Sequence, residues 1–318
     1  MNERDKTVTA MIAALRLPII VAPMFLVSGV RLVVAACRTG VIGSFPTAYA
    51  RSSEQLEQWL TSIVAQLGAA SVATASAASG APWSANLIVH PTNSRADADF
   101  ALLVKYRAPV VIASVGNPAR YIEPVHDYGG VVFSDVASVE HARKAARSGV
   151  DGLILLCGGA GGHTGWLNPF AFVPAVREFF DKPIILAGSI SDGASIRAAL
   201  KLGADMAYIG TRFIATHESD AVDAYRQMVV DSSSADVVLT SEVSGLPANW
   251  LRGSLTKLGY AGTQLGRAAD FSADSNFKAW RDIWGAGQGV GAVKQLQSVA
   301  QVVAELQRGY RASGTAQA

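Results

Sequence analysis

The sequence contains few cysteines and little charge. Among its 318 residues are two cysteines, Cys37 and Cys157, and 16% of the side chains are charged. Two cysteines can build neither a disulfide framework nor a cysteine-rich zinc site, and they fit a reducing cytoplasm. Lys and Arg number 27 against 25 Asp and Glu, with no basic run, which argues against a nucleic-acid partner. Half of the residues are hydrophobic, which is typical of a packed globular chain and not of a disordered one.

A long uninterrupted hydrophobic run is also missing. The stretch Val8–Ala36 is rich in apolar residues and follows Arg4 and Lys6, as in a secretory leader. Charged residues and prolines interrupt it, namely Arg16, Pro18, Pro23 and Arg31. No span of about 20 apolar residues remains, so we predict neither a signal peptide nor a membrane helix.

Short apolar runs alternate with helical patterns along the first two thirds of the chain. The predicted strands are Ile19–Ala22, Val41–Gly43, Asn86–Val89, Val110–Ala113, Gly130–Ser134, Gly152–Leu156, Ile184–Ala187 and Met206–Ile209. Eight strands, each followed by a crossover, favour an α/β fold of the (β/α)8 TIM-barrel type. The loss of one strand would leave a doubly wound open sheet, so that alternative stays open.

Helical patterns fill the gaps between these strands. They cover Val30–Arg38, Glu54–Leu67, Ala96–Tyr106, Ala119–Asp127, Val139–Ser148, Ala171–Phe180 and Gly193–Leu202. Ser53, Ser138 and Asp192 are predicted caps, because their side-chain oxygens can accept from the first free amides of a helix. Glycines follow several predicted helix ends, where a left-handed backbone is required.

The pattern changes after Ile209. We predict one domain over residues 1–318, in which residues 216–290 form a mostly helical insertion beside the barrel mouth. The predicted segments are helices at Thr216–Val230, Leu246–Leu258 and Val293–Gly309, a loose connection at Ala69–Ala81 and a disordered tail at Ala312–Ala318. Trp250, Trp280 and Trp284 are expected to pack inside this insertion, although a pocket or an interface is also open to them.

Two consecutive strand ends carry small residues. Gly188-Ser189 follows the seventh strand and Gly210-Thr211 follows the eighth, where barrels commonly bind phosphate. Glycine at these positions lets an anion approach the backbone. Arg212 either adds charge there or pairs with an acidic residue elsewhere. No GxGxxG follows the first strand, where Pro23-Met24 stands, so a phosphorylated mononucleotide fits better than a dinucleotide.

A glycine-rich loop with one histidine follows the sixth strand, from Cys157 to Trp166. His163 in this loop is the candidate catalytic residue, as a general base or as a cationic anchor for an anionic substrate. A histidine that only hydrogen-bonds within its loop is the alternative. Cys157 is interpreted as a small buried hydrophobe and not as a nucleophile. No motif for a metal site is present.

The other histidines are weaker candidates. His90 follows the third strand beside Asn86 and is a second-choice site residue. His126, His141 and His217 lie on or beside helical patterns, where we expect ordinary surface or capping roles.

These motifs together resemble the nitronate monooxygenases, formerly called 2-nitropropane dioxygenases. The resemblance covers about Leu17–Glu218, and a late Gly287-Gln288-Gly289 loop is also similar. It implies a barrel that binds FMN non-covalently and oxidises nitronates with O2 to carbonyl compounds and nitrite. It also implies His163 as the catalytic histidine. The residues implied to contact FMN are Ala22, Pro23, Met24, Asn86, Asp135, Gly161, Gly162, Gly188, Ser189, Gly210 and Thr211.

Two positions depart from the family pattern. The family often has Lys at the end of the fifth strand, where this chain has Ser134-Asp135, and Ser189 replaces a frequent second glycine. A lysine would favour an anionic reduced flavin, so Asp135 either tunes the flavin differently or leaves that task to another group.

Three functions therefore remain open. The first is an FMN-dependent monooxygenase that acts on nitronates, with a small-molecule substrate and O2 as its partners. The second is an NAD(P)H-dependent FMN reductase that acts on quinones or enoyl thioesters, and the third is a flavin-free phosphate-binding barrel. A cytoplasmic location is expected, and a homodimer is left open.

Overall fold

A computed structural model describes residues 3–68, 72, 80–260 and 280–315. Parts of the predicted connection at Ala69–Ala81 and of the predicted insertion lie outside these residues, as do residues 316–318. None of the helices in the described part combines the length and apolar composition that a bilayer crossing needs.

Eight parallel strands close into a barrel, which confirms the predicted (β/α)8 fold and excludes the open sheet. Closure is made by β1, whose Ile20 pairs with Ile42 on one side and with Tyr208 on the other. The barrel strands are β1 (Ile19–Val21), β2 (Ile42–Pro46), β3 (Trp83–Ile88), β4 (Val110–Ser114), β5 (Val131–Val136), β6 (Gly152–Leu156), β8 (Ile184–Ala187) and β9 (Met206–Ile209). A two-residue strand, β7 (Gly162–His163), lies outside the barrel.

One helix, α1 (Glu3–Ala14), precedes the barrel. The helices that surround the barrel lie at the predicted places, and they are α2 (Val30–Arg38), α3 (Ser53–Leu67), α4 (Ala96–Lys105), α5 (Ala119–Asp127), α6 (Val139–Arg147), α7 (Pro169–Arg177) and α8 (Gly193–Leu202). Ser138 and Asp192 cap helices as predicted. The cap of α3 is Ser52 and not Ser53, because the Ser52 hydroxyl accepts from the Gln55 amide at 3.2 Å.

The apolar core has two layers that follow the alternation along each strand. On β4, Val110 and Ile112 belong to the cluster inside the barrel, whereas Val111 and Ala113 pack against the outer helices. Helix α1, which we did not predict, adds Val8 and Met11 to the inner cluster. It covers the amino-terminal end of the barrel, so the opposite end is left for a site.

The chain after β9 is less helical than predicted. It forms α9 (Thr211–Ile214), α10 (Asp223–Asp231), β10 (Val237–Thr240), β11 (Ala248–Leu251), α11 (Arg252–Lys257) and α12 (Val299–Thr315). The helix predicted over Leu246–Leu258 is wrong in its first half, where β11 pairs with β10 and β7 in a small antiparallel sheet. The helix predicted from Thr216 begins only at Asp223.

The last helix closes the ring of helices around the barrel. Helix α12 runs to Thr315, so residues 312–315, which we expected to be disordered, are helical. The Arg197 side chain of α8 donates to the Tyr310 carbonyl at 2.9 Å. A side chain at Gly193 would come within 1.9 Å of the Tyr310 backbone nitrogen, so only glycine permits this contact between α8 and α12.

Candidate active site

A cavity of about 330 Å³ opens at the carboxyl ends of the barrel strands. The catalytic candidate His163 and all of the predicted FMN-contacting residues line it. These residues are Ala22, Pro23, Met24, Asn86, Asp135, Gly161, Gly162, Gly188, Ser189, Gly210 and Thr211. Its size falls within the usual range for small-molecule sites. The structure therefore brings together residues from six different strand ends.

The proposed phosphate end lies where the loops after β8 and β9 meet. Gly188 has φ +122°, and a side chain there would lie 3.1 Å from the Ala160 nitrogen. Ser189 also has a left-handed backbone, with φ +55°, a conformation that favours glycine. Its amide donates to the Gly159 carbonyl at 3.3 Å, so the loop after β6 is tied to this corner.

A late segment of the chain completes the same corner. The Gly287 amide donates to the Thr211 hydroxyl at 2.9 Å, and the Gln288 amide donates to the Gly159 carbonyl at 3.0 Å. A side chain at Gly287 would come within 2.7 Å of the Gly159 oxygen, so glycine is required. Because the Thr211 hydroxyl accepts one hydrogen bond, its own proton can be donated to a ligand.

Arg212 does not contribute to this corner. Its guanidinium is buried beneath the rim, where it donates to Glu305 at 2.8 Å and to the Ala292 carbonyl at 2.7 Å. The alternative prediction, that Arg212 pairs with an acidic residue elsewhere, is therefore confirmed.

Polar side chains from three neighbouring strands form the cavity floor. The Asn86 amide donates to the Ser114 hydroxyl, and Ser114 donates to Asp135 Oδ2 at 2.5 Å. Asn86 also donates to the Ile112 carbonyl at 3.1 Å, which fixes its amide. Burial raises the pKa of Asp135 to about 6, and the hydrogen bonds from Ser114 and the Val115 amide oppose that rise.

The histidine loop is held as a strand and not as a free loop. Gly162 and His163 form β7, which pairs with Asn249 and Ala248 of β11. The buried Asn249 amide donates to the carbonyls of Gly158 at 3.0 Å and Ala160 at 2.6 Å. The rim histidine is thus positioned by a segment more than 80 residues later in the chain.

His163 is partly buried against aromatic and hydroxyl groups. Its Nε2 lies 3.0 Å from the Ser244 hydroxyl, and its ring meets the Trp280 ring edge-on at 5.4 Å. Burial lowers the pKa of His163 to about 4, because the charged imidazolium loses its hydration. At neutral pH the imidazole is therefore uncharged, which suits a base and not a cationic anchor.

The remaining histidine and cysteine candidates lie elsewhere. His90 does not line the cavity; its Nδ1 bonds to the Thr92 hydroxyl at 2.8 Å, so the second-choice prediction is wrong. His126 pairs with Asp151 at 2.8 Å. Burial raises the pKa of the Cys157 thiol to about 12, so this cysteine is not a nucleophile. No cluster of metal-binding side chains occurs within the described ranges.

Sequence reasoning missed several cavity residues. Ser114 and Tyr208 lie at the ends of correctly predicted strands, and Tyr225, Trp280 and Trp284 come from the insertion. The strand alternation could have found Ser114, since every second residue of β4 faces the barrel interior. Trp250 is fully buried in the small sheet as expected, whereas Trp280 and Trp284 face the cavity.

The residues present fit FMN. The phosphate corner offers hydroxyls and backbone amides to a ligand. Neighbouring backbone segments lie so close together there that Gly188 and Gly287 leave no room for side chains. Ala22, Pro23 and Met24 add an apolar part of the lining, which suits contact with an apolar ring. No acidic side chain of the described lining belongs to the loops after β8 and β9.

Comparison with known proteins agrees with this site. A sequence model of the nitronate monooxygenase family matches residues 6–309. The (3aS,4S,5R,7aS)-5-hydroxy-7a-methyl-1-oxo-octahydro-1H-indene-4-carboxyl-CoA dehydrogenase of Rhodococcus jostii is 32% identical over 193 residues, which are 59% of this chain and 55% of that protein. A nitronate monooxygenase of Paraburkholderia phytofirmans is 29% identical over 233 residues, 65% of this chain and 62% of that protein. The alignments thus span just over half of each of these relatives.

A solved structure extends the likeness over nearly the whole chain. FabK from Thermotoga maritima superposes with a TM-score of 0.76 at 26% identity and covers 96% of both chains. The flavin-free alternative is not supported, because FMN is the cofactor of the matched family. The chain belongs to the nitronate monooxygenase family, whose members are FMN-dependent oxidoreductases.

Proposed function

We propose that the protein oxidises alkyl nitronates, or the nitroalkanes from which they form, with O2 as oxidant and with a carbonyl compound and nitrite as products. The observation that carries the proposal is the position of His163 at the rim of a cavity that fits FMN, where burial lowers the pKa of its imidazole to about 4. When bound, FMN supplies the two-electron oxidation of the substrate and the reaction with O2.

The proposed role of His163 is to accept a proton. A neutral nitroalkane must lose the proton on its α-carbon before it is oxidised, and an uncharged imidazole in this cavity can take it. The Ser244 hydroxyl at 3.0 Å and the Trp280 ring hold the imidazole in one orientation. A preformed nitronate needs no base, so His163 contributes less to its turnover.

The chain's other residues bind and orient. Gly188, Ser189, Gly210 and Thr211 would hold the phosphate through backbone amides and hydroxyls. Trp280 and Trp284 wall the cavity near His163 and exclude water from the reacting atoms.

A second candidate is an NAD(P)H-dependent reductase that acts on quinones or enoyl thioesters. It is supported by the aromatic wall beside His163, which suits a neutral apolar substrate. The likeness to FabK and to a dehydrogenase whose name contains a carboxyl-CoA group is compatible with a thioester.

Anaerobic rapid mixing of the FMN-loaded protein separates the two. We expect propyl nitronate and nitropropane to bleach the flavin absorbance, and NADH and NADPH to leave it unchanged within the same time. The His163→Asn variant serves as control, since it should slow bleaching by nitropropane more than bleaching by the nitronate. Rapid bleaching by NADH or NADPH alone would contradict the proposal and favour the reductase.

A further inference from the structure

Asp135 is a partly buried carboxyl in the cavity lining, and the proposed reaction leaves it without a role. It lies near the end of β5 and faces the cavity between Asn86 and Tyr208. A chain of hydrogen bonds leads to it, from the Asn86 amide to the Ser114 hydroxyl and from Ser114 to Asp135 Oδ2. Three neighbouring strands, β3, β4 and β5, therefore combine to fix this one carboxyl.

A strained backbone residue next to Asp135 also donates a hydrogen bond to its carboxyl. Val115, the residue after β4, has φ +56°, which a β-branched residue rarely adopts. Its amide donates to the Asp135 carboxyl. Such conformations are unfavourable and persist only where the surrounding structure enforces them. The strained residue thus provides Asp135 with a second hydrogen-bond donor, the Val115 amide, beside the Ser114 hydroxyl.

The surroundings of Asp135 contain hydroxyls and apolar groups. Strand β4 contributes Ser114, β6 contributes the apolar residues of Gly152–Leu156, and β9 contributes the Tyr208 hydroxyl. The pKa of Tyr208 is raised by burial and by the Asp135 charge. His163 lines the same cavity in its uncharged form, and Arg95, which also lines it, pairs with Asp99 at 2.9 Å. Burial alone raises the pKa of Asp135, and none of the described groups that lower it is a cation.

We propose that Asp135 takes up a proton when the flavin in this cavity is reduced; the inference depends on FMN binding as proposed above. Reduction adds two electrons and one proton to FMN and leaves the ring with one additional negative charge. Two negative charges within one buried cavity repel each other. The Asp135 carboxylate therefore binds one proton from solvent, so that reduction consumes two electrons and two protons in total.

The dependence of the midpoint potential on pH tests this proton count. The potentials of wild-type holoenzyme, Asp135→Asn and Asp181→Asn are measured across the pH range in which the reduced flavin is an anion. Asp181 is an exposed carboxyl at the amino-terminal end of β8 and serves as the matched control. We expect the potential of wild type and of Asp181→Asn to fall twice as steeply with pH as that of Asp135→Asn. Equal slopes in all three proteins would overturn the proposal.

Infrared difference spectra of the same samples identify the group that binds the proton. Reduction should produce a protonated-carboxyl band in wild type that is missing in Asp135→Asn. The Ser114→Ala variant removes one donor to the carboxylate, so the steep part of its slope should move to higher pH. A wild-type spectrum without the band would reject Asp135 as the proton acceptor even if the slopes differ.

The outcome is separable from the test of the proposed function. If nitronate bleaches the flavin but the midpoint potential falls equally steeply with pH in all variants, only the role of Asp135 is overturned. Flavin that is bleached by NADH, with the slopes as expected, overturns only the proposed substrate. Protein that binds no FMN overturns both.

Discussion

His163 can act as a base, and its burial determines whether the imidazole is charged or uncharged at neutral pH. An exposed histidine is half protonated near pH 6.5, whereas burial brings the pKa of His163 to about 4. The sequence predicted His163 as the catalytic residue but left open whether it acts as a base or as a cationic anchor. The burial of His163 depends on Trp280, Ser244 and β11, which come from a distant segment of the chain. A pattern of glycines around one histidine holds no information about those neighbours.

The pH dependence of turnover tests this form of His163. We expect kcat/KM for neutral nitroalkanes to stay high as the pH falls through 6.5 and to fall only near pH 4 to 5, since the base remains uncharged until then. The same shift lowers the stability of the fold as the pH falls from 6.5 to about 4, because the unfolded chain binds a proton there that folded His163 does not. An acid limb centred near 6.5 would contradict the assignment.

Replacement of His163 tests its role directly. His163→Asn should retain FMN and lose about 10²- to 10⁴-fold in kcat for nitroalkanes, which is the usual contribution of a positioned base. Steady-state kinetics and the flavin spectrum measure both effects. Unchanged turnover would remove His163 from the reaction.

Thr211 tests the phosphate corner. Thr211→Val keeps the shape but removes the hydroxyl that Gly287 contacts, so we expect the Kd for FMN to rise about tenfold, or about 1.4 kcal/mol. Fluorescence titration of FMN measures the change. Thr256→Val, at an exposed position on α11, is the matched control and should bind FMN like wild type. A wild-type Kd for Thr211→Val would show that the phosphate binds elsewhere.

At the level of secondary structure, the sequence predicted the barrel strands but not the elements that cover the two ends of the barrel, namely α1 and the small sheet of β7, β10 and β11. All eight barrel strands were predicted to within a few residues, because each is a short apolar run ended by turn residues. Strand β11 was predicted as helix because its pairing partners, β7 and β10, are recognised only after folding. Helix α1 was missed because its apolar residues were judged only against a leader or membrane span.

Asn249 tests whether β11 positions the histidine loop. Asn249→Ala leaves the carbonyls of Gly158 and Ala160 without this donor, at a cost of about 1–3 kcal/mol. We expect a lower melting temperature and a lower kcat, with FMN still bound. Asn117→Ala, at an exposed position before α5, should leave kcat unchanged. If Asn249→Ala keeps full kcat, β11 does not control the position of His163.

Met11 tests the opposite end of the barrel. Met11→Ala opens space under the inner core and should cost about 2–5 kcal/mol of unfolding free energy. The Kd for FMN should not change, because α1 and the cavity lie at opposite ends. Met11→Leu conserves volume and should cost less than about 1.5 kcal/mol. Chemical denaturation with a parallel FMN titration separates stability from binding.

The molecule as a whole is a barrel with one end sealed by α1 and the other partly covered by the small sheet and the Gly285–Gly289 segment. The cytoplasmic location and the homodimer remain predictions. The family and its cofactor agree with the motifs at the strand ends, whereas the substrate depends on the covering segments.

A crystal structure of the protein with FMN tests the central claim most directly. We predict the phosphate within hydrogen-bonding distance of Gly188, Ser189, Gly210 and Thr211, and the flavin ring against Pro23 and Met24 with His163 facing the substrate space. A phosphate bound away from the loops after β8 and β9, or a ring that His163 cannot approach, would contradict the account.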